Sequence, residues 1–450
     1  MRSRPLFVPA LCLGLLAPAL ASAEDLPALT LGVEDAVAAT LASQPRLRSA
    51  QAEARASAAR ATQAAWQHVG TLETTSLYTP AQRPLQVDFP GMPNLVPATS
   101  FEVKQLRTYA FNATLVQPLW TWGAVASSRS AAQGEHAAVL QNLARLRQQL
   151  VLEASQAFFV AATAAAAIGV AEQNLEQQRS FLRATESRLA AGTAAKLDVL
   201  KAELAVSEAE SALLAARNRH ALAREALATV TMDARFRGAS LREADGGTVE
   251  LPAEADALAR ALAQRPDLAA LRRQGDALGL REKAIRAASL PSLALRASLT
   301  QQHDDLSKVL GKGGQIYELG LALRWDATEP ARSRSRVVEV AAGREALAQG
   351  VISLEEGIRL EVRSALQSAS EALAQVRVAQ GALATAEEQA RVARLAYREG
   401  ATSALEARDA ELGLTNARFT LLRARLDVLL AREQLRFAVA DERDSSRAVP

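Results

Sequence analysis

Arg188-Leu189-Ala190-Ala191-Gly192-Thr193-Ala194-Ala195-Lys196-Leu197-Asp198 decides the fold, because the chain says it again as Leu395-Ala396-Tyr397-Arg398-Glu399-Gly400-Ala401-Thr402-Ser403-Ala404-Leu405-Glu406. In both, a helix-forming run meets a glycine, turns and resumes as helix. Upstream the doubling continues. Residues 33–71 open with an acidic helix start, a break at Gln44-Pro45 and a long Ala/Arg/Gln helix, and residues 253–290 repeat this with Arg265-Pro266. Repetition over such a length fixes the architecture before any single element is read. Each half combines very long helices with two short strands, too little for a half to bury its own surface.

The spacing predicts a two-fold internal repeat flanked by short extra segments. Residues 1–23 read as a secretory signal: Arg2 and Arg4 precede an apolar run from Leu6 to Leu20, and Ala21-Ser22-Ala23 is a small-residue cleavage site. The first repeat covers 24–231, with strands at 71–79 and 107–117 and a helical hairpin at 123–230. A charged connector occupies 232–252. The second repeat covers 253–440, with strands at 292–300 and 316–326 and a hairpin at 331–439, and 441–450 is a flexible tail. Between the first two strands, Pro80, Pro84, Pro90, Pro93 and Pro97 predict an exposed loop. Leucines at 143, 146 and 150, and at 197, 200 and 204, have the three-and-four spacing of helices packed side by side.

Composition narrows the function. Lysine and arginine total 52 against 49 acidic residues, and loss of Arg2 and Arg4 with the signal leaves the chain close to neutral, so nothing calls for nucleic acid. Cys12, the single cysteine, lies inside the signal, and the bulky Leu11 before it argues against a lipidation site. Beyond the signal no stretch is expected to supply the roughly 20 apolar residues of a membrane-spanning helix. His68, His136, His220 and His303 are not spaced as metal ligands, and no glycine-rich phosphate loop follows a strand. No cofactor and no enzyme chemistry are expected.

The strands alternate large apolar residues with polar ones. Tyr317, Leu319, Leu321, Leu323 and Trp325 fall on one face, and Glu318, Gly320, Ala322, Arg324 and Asp326 on the other. An ordinary sheet between core and water would read this way; so would a membrane β-barrel with lipid outside and water within. Four strands cannot close such a barrel, since the smallest have about eight and open edges are costly in lipid. Several chains would have to share one, and polar inward faces favour three copies over two. Trp120, Trp122 and Trp325 sit where strand gives way to helix, which suits a membrane–water interface or packing at a junction.

Taken together, the Gln44-Pro45 and Arg265-Pro266 openings, the strand exit Gln117-Pro118-Leu119-Trp120, the Leu197-Asp198-Val199-Leu200 run after Gly192 and the matching Gly400 turn resemble the outer-membrane efflux protein family, the TolC-like channels. The resemblance covers nearly all of the mature chain. It implies a mainly α fold with a small transmembrane β part: a homotrimer whose twelve-stranded barrel stands in outer-membrane lipid above a helical periplasmic tunnel. It implies passive export in a tripartite efflux or type I secretion system, with a periplasmic adaptor and an inner-membrane transporter of RND or ABC type. By the same resemblance, Gly192, Leu197, Gly400 and Leu405 meet the adaptor. Glu406 and Asp409 line the periplasmic gate, and Tyr397 and Asp198 match a polar link that holds it closed. Thr402 stands where the family often has a basic residue, which leaves a second link without its partner. A periplasmic helical adaptor or scaffold is the alternative, because such proteins also pair signals with long hairpins. They carry one hairpin, however, where this chain has two.

Overall fold

The structure is a computed structural model that describes residues 30–80, 85–91, 97, 99–103, 107–242, 250–303, 305–309 and 315–441. The signal segment with Cys12, the tail beyond Asp441, and Gly311, Gly313 and Gly314 lie outside the described residues.

In chain order, β1 (Thr30–Leu31) leads into α1 (Val33–Ser43) and α2 (Pro45–Trp66). Next come β2 (Thr71–Thr79), β3 (Leu85–Phe89), β4 (Thr99–Val103) and β5 (Thr108–Trp120). The first hairpin is α3 (Ala124–Ala190) and α4 (Lys196–Thr231), followed by α5 (Arg235–Gly238) and β6 (Ser240–Leu241). The second half runs α6 (Glu254–Gln264), α7 (Pro266–Ala288), β7 (Ser292–His303), α8 (Leu306–Val309), β8 (Gln315–Arg324), α9 (Glu329–Arg398) and α10 (Ala404–Val439). Pro45 and Pro266 each open a helix at its first position, where a missing N–H costs nothing. The extended Gln44 and Arg265 before them break α1 from α2 and α6 from α7.

The four long strands form one antiparallel sheet in the order β2-β5-β7-β8. Its register places Glu73, Thr114, Ser298 and Glu318 in one cross-strand row, and Leu72, Leu115, Ala297 and Leu319 in the row of the opposite face. Leu72 is 67% exposed and Leu319 77%, so the apolar face has no cover within the chain. At 67 and 70 residues, α3 and α9 each reach about 100 Å at the standard rise.

The core lies where the short helices meet the long ones. Phe158 and Phe159 of α3 pack with Ala36, Leu227, Phe236 and Leu429. The second repeat builds a matching cluster from Leu268, Ile358, Val362 and Leu435. Further along the hairpins the contacts become smaller: Ala171, Ala209 and Ala216 in the first, Ala369, Ala379 and Ala424 in the second. Alanine lets the helices run close together over their full length.

Two expectations change and one gains detail. The proline-rich stretch between the first strands contains an antiparallel pair, β3 with β4, because Leu85–Phe89 and Thr99–Val103 keep a strand alternation between the prolines. The charged connector gains local structure. It holds α5, and β6 pairs in parallel with β1 to tie the chain's start to its middle. Finally, α3 does contain an 18-residue window apolar enough to cross a membrane. Alanine raises its hydropathy, and Phe158, Phe159 and Ala161 of the same helix belong to the core cluster, so α3 reads as a packed helix.

Candidate functional site

The two hairpin turns are built alike. Gly192 (φ 75°) and Gly400 (φ 76°) adopt the left-handed conformation that ends a helix. At the first, Gly192 N–H donates to Leu189 O (2.9 Å) and Thr193 N–H to Arg188 O (2.9 Å). At the second, Gly400 N–H donates to Tyr397 O (3.2 Å) and Ala401 N–H to Ala396 O (2.8 Å). Both are Schellman endings that satisfy the last carbonyls of α3 and α9. Leu197 and Leu405, one turn beyond, are 58% and 53% exposed. Each turn thus presents a bare apolar side chain beside an exposed glycine.

The next helix is capped by a carboxylate in each case. Asp198 accepts from Ala195 N–H (3.2 Å), half of a capping box, since Ala195 has no side-chain acceptor. Glu406 completes the box: Ser403 Oγ accepts from Glu406 N–H (3.2 Å), and the Glu406 carboxylate accepts from Ser403 N–H (3.3 Å) and from the Thr402 hydroxyl. Thr402 therefore serves the carboxylate in its own turn. These donors, the Thr402 hydroxyl first, hold the Glu406 carboxyl below its usual range. Asp409 follows one turn later on the same exposed face of α10.

Tyr397 and Asp198 are not brought together within the chain. Tyr397 is buried, its hydroxyl 3.1 Å from Thr185 Oγ1 and its ring stacked on Phe181 at 5.0 Å. Arg188 lies 4.6 Å over the Tyr397 ring and donates to Tyr397 O, an end carbonyl of α9. The link between the hairpins is thus Arg188 and Thr185 with Tyr397. Sequence reading missed both partners. The available signal was Arg188 in the last turn of α3, where a cation meets free carbonyls.

Beyond this link the seam stays polar. Thr415 Oγ1 of α10 donates to Asn174 Oδ1 of α3 (3.0 Å). Glu411 is 4% exposed and pairs with Arg394 Nε at 2.8 Å, while its Oε2 has no hydrogen-bond partner. Burial pushes its carboxyl up, against the pull of Arg394 and Arg418.

At the opposite end, the three tryptophans gather where strands become helices. Trp120 and Trp122 meet edge to face at 5.9 Å. Trp122 Nε1 donates to Pro291 O (2.7 Å) and Trp325 Nε1 to Ser289 O (3.3 Å), while all three rings are more than half exposed. A bonded N–H with a bare ring suits a boundary between water and lipid. Among the described residues, no group of three or more His, Asp or Glu could hold a metal ion.

Alongside the bare apolar sheet face, the exposed tryptophans at its helical end and the twin hairpins with matched turns, the sequence profile of outer membrane efflux proteins matches residues 36–231 and 257–441. The chain belongs to the outer membrane efflux protein family. Its two matched segments follow the two repeats, and its place is the outer membrane. The fold is that of solved channels. CusC shares 19% identity over 90% of this chain and 91% of its own, with a TM-score of 0.77. VceC from Vibrio cholerae shares 18% over 90% and 95% (TM-score 0.76), and CmeC from Campylobacter jejuni 14% over 92% and 88% (TM-score 0.77). Among curated proteins none matches the chain. Membership makes this efflux protein a channel and not an enzyme.

Proposed function

We propose that three copies of this chain close their sheets into a twelve-stranded barrel, with the hairpins forming a periplasmic tunnel beneath it. The tunnel passively exports substrates handed over by a periplasmic adaptor and an RND- or ABC-type inner-membrane pump. One observation carries the reading: among the described residues the sheet ends at β2 and β8 with no further strand on either edge, and its apolar face is bare. An open edge in lipid costs several kcal/mol for each unsatisfied backbone group, so the sheet must close on other copies. Leu197 and Leu405, exposed beside their turns, suit docking of the adaptor's helical end. Glu406 and Asp409 supply two acidic levels at the tunnel entrance, and three copies turn them into rings that favour cations.

Purified protein in planar bilayers tests this. A heat-modifiable trimer with steady ion conductance is expected. A water-soluble monomer without conductance overturns it.

A further inference from the structure

The inference deepens the trimer reading, on which it rests, by fixing how one copy meets the next. The two repeats match residue for residue through the strands. Equal lengths of chain separate Pro45 from Thr71 and Pro266 from Ser292, and likewise Val116 from Gly192 and Arg324 from Gly400. The hairpin registers agree with this: Thr71 stands opposite Val116, and Ser292 opposite Arg324. So Thr71 is equivalent to Ser292, and Val116 to Arg324.

The seam between the repeats is visible within the chain as β5 on β7, where Val116 stands opposite Arg296. The open edges β8 and β2 are the equivalents of β5 and β7. We propose that β8 pairs antiparallel with β2 of a second copy in the register of that internal seam. Arg324 then stands opposite Thr75 of the partner subunit, because Thr75 follows Thr71 by as many residues as Arg296 follows Ser292. Continuing outward, Leu323 meets Ser76 of the partner subunit, Ala322 meets Leu77 of the partner subunit, and Leu321 meets Tyr78 of the partner subunit.

Two observations that did not enter the derivation support it. First, faces match: Leu321 and Leu323 on the apolar face meet Tyr78 and Ser76, which share their face with Leu72, while Arg324 meets the polar face of Glu73 and Thr75. A slip of one residue would set Leu323 among the polar residues. Second, among the described residues Glu73 and Arg324 form no ion pair within the protomer, Arg324 acting only at longer range on Asp326. The register puts the Glu73 of one copy diagonal to the Arg324 of the next, within reach of long side chains. A slip of two residues that sets Arg324 opposite Leu77 preserves the faces and loses this pairing; the opposite slip sets Arg324 directly opposite Glu73, and the Thr74–Leu323 cross-link below separates it from the proposed register.

Disulfide trapping decides the register, since the only native cysteine is Cys12 in the signal segment. Two adjacent matched pairs, Ser76→Cys with Leu323→Cys and Leu77→Cys with Ala322→Cys, sample both alternating kinds of antiparallel position. Under mild oxidation of outer membranes, at least one is expected to shift most of the protein from monomer to covalent dimer and trimer on denaturing gels. The offset pairs Thr74→Cys with Leu323→Cys and Tyr78→Cys with Leu323→Cys are expected to stay monomeric, being too far apart for a bridge. Cross-linking of an offset pair, or of no pair in a heat-modifiable trimer, overturns the register and leaves the channel reading intact. Absence of any trimer before oxidation removes the channel reading itself.

Discussion

Glu406 and Glu411 stand on one helix and titrate in opposite senses. Glu406 is held below the ordinary carboxylate range by Thr402 and Ser403, so its capping contribution is present above the unfolded value of about 4.3 and fades as pH falls through the folded value. Glu411 is pushed up by burial, so the folded protein holds its proton more tightly. Its charged form costs stability at neutral pH, and that cost is relieved as pH falls from the raised value toward about 4.3. Glu411→Gln should therefore flatten the pH dependence of thermal unfolding in that window; a slope equal to wild type would refute this. For conduction, Glu406→Ala with Asp409→Ala is expected to reduce cation preference, read as a shift of reversal potential in a salt gradient. Unchanged preference would remove both from the pore. At the link between hairpins, Tyr397→Phe deletes the contact with Thr185 for about 1 kcal/mol. Arg188→Ala removes the bond to Tyr397 O, and both variants should raise resting conductance. The acidic pair was legible only through the family resemblance, since carboxylates past a glycine turn otherwise read as a solvated helix face. The link was not, because Arg188 and Tyr397 meet only through the rotation of α3 against α9, which no local pattern records.

At the scale of elements, the helices announce themselves and their ends more clearly than their neighbours. Long Ala- and Leu-rich runs, proline at the first position and glycine at the turn suffice to place α2, α3, α7 and α9. Alternation likewise places the four long strands, although β5 and β7 run three residues past the sequence-based ends, at 120 and 303. Two-residue partners such as β1 and β6 are too short for any periodicity, and β3 and β4 are hidden by the prolines around them. The matched turns should be equally demanding. Gly192→Ala and Gly400→Ala force a side chain into φ near +75°, at about 1 kcal/mol each. Space is not the obstacle: nothing lies within 4 Å of a Cβ at Gly192, and only Arg188 Nη2, at 3.8 Å, at Gly400. Faster amide exchange confined to the two turns is expected. Exchange unchanged in both variants would show that the backbone there relaxes freely.

Across the whole molecule, one ionic knot joins elements that sequence places far apart. Arg265 at the α6–α7 break donates to Asp267 (2.7 Å) and Glu361 of α9 and reaches Ala438 O. Arg145 of α3 approaches Asp267 at 3.5 Å, donates to Phe437 O (3.0 Å) and lies 3.6 Å over the Phe437 ring. Burial, with the neighbouring Arg265, lowers Arg145 to about 10. Removing Arg265 leaves Asp267 and Glu361 partly wet and with Arg145 as their remaining cation, at 3.5 and 3.8 Å, so Arg265→Ala should cost about 2 kcal/mol, below the range for fully buried pairs. A lower thermal midpoint checks this, and an unchanged one would make the knot dispensable. The first repeat has Gln44 at that position, donating to Val230 O, so the knot distinguishes two halves that otherwise copy each other. The β3–β4 ribbon distinguishes them too, since it lengthens one of the two loops at the far end of the sheet. Around a closed cylinder that difference alternates. In the proposed trimer the mouth away from the helices would be a crown of three tall points and three low gaps, a three-fold target, while the wall below keeps a near six-fold rhythm.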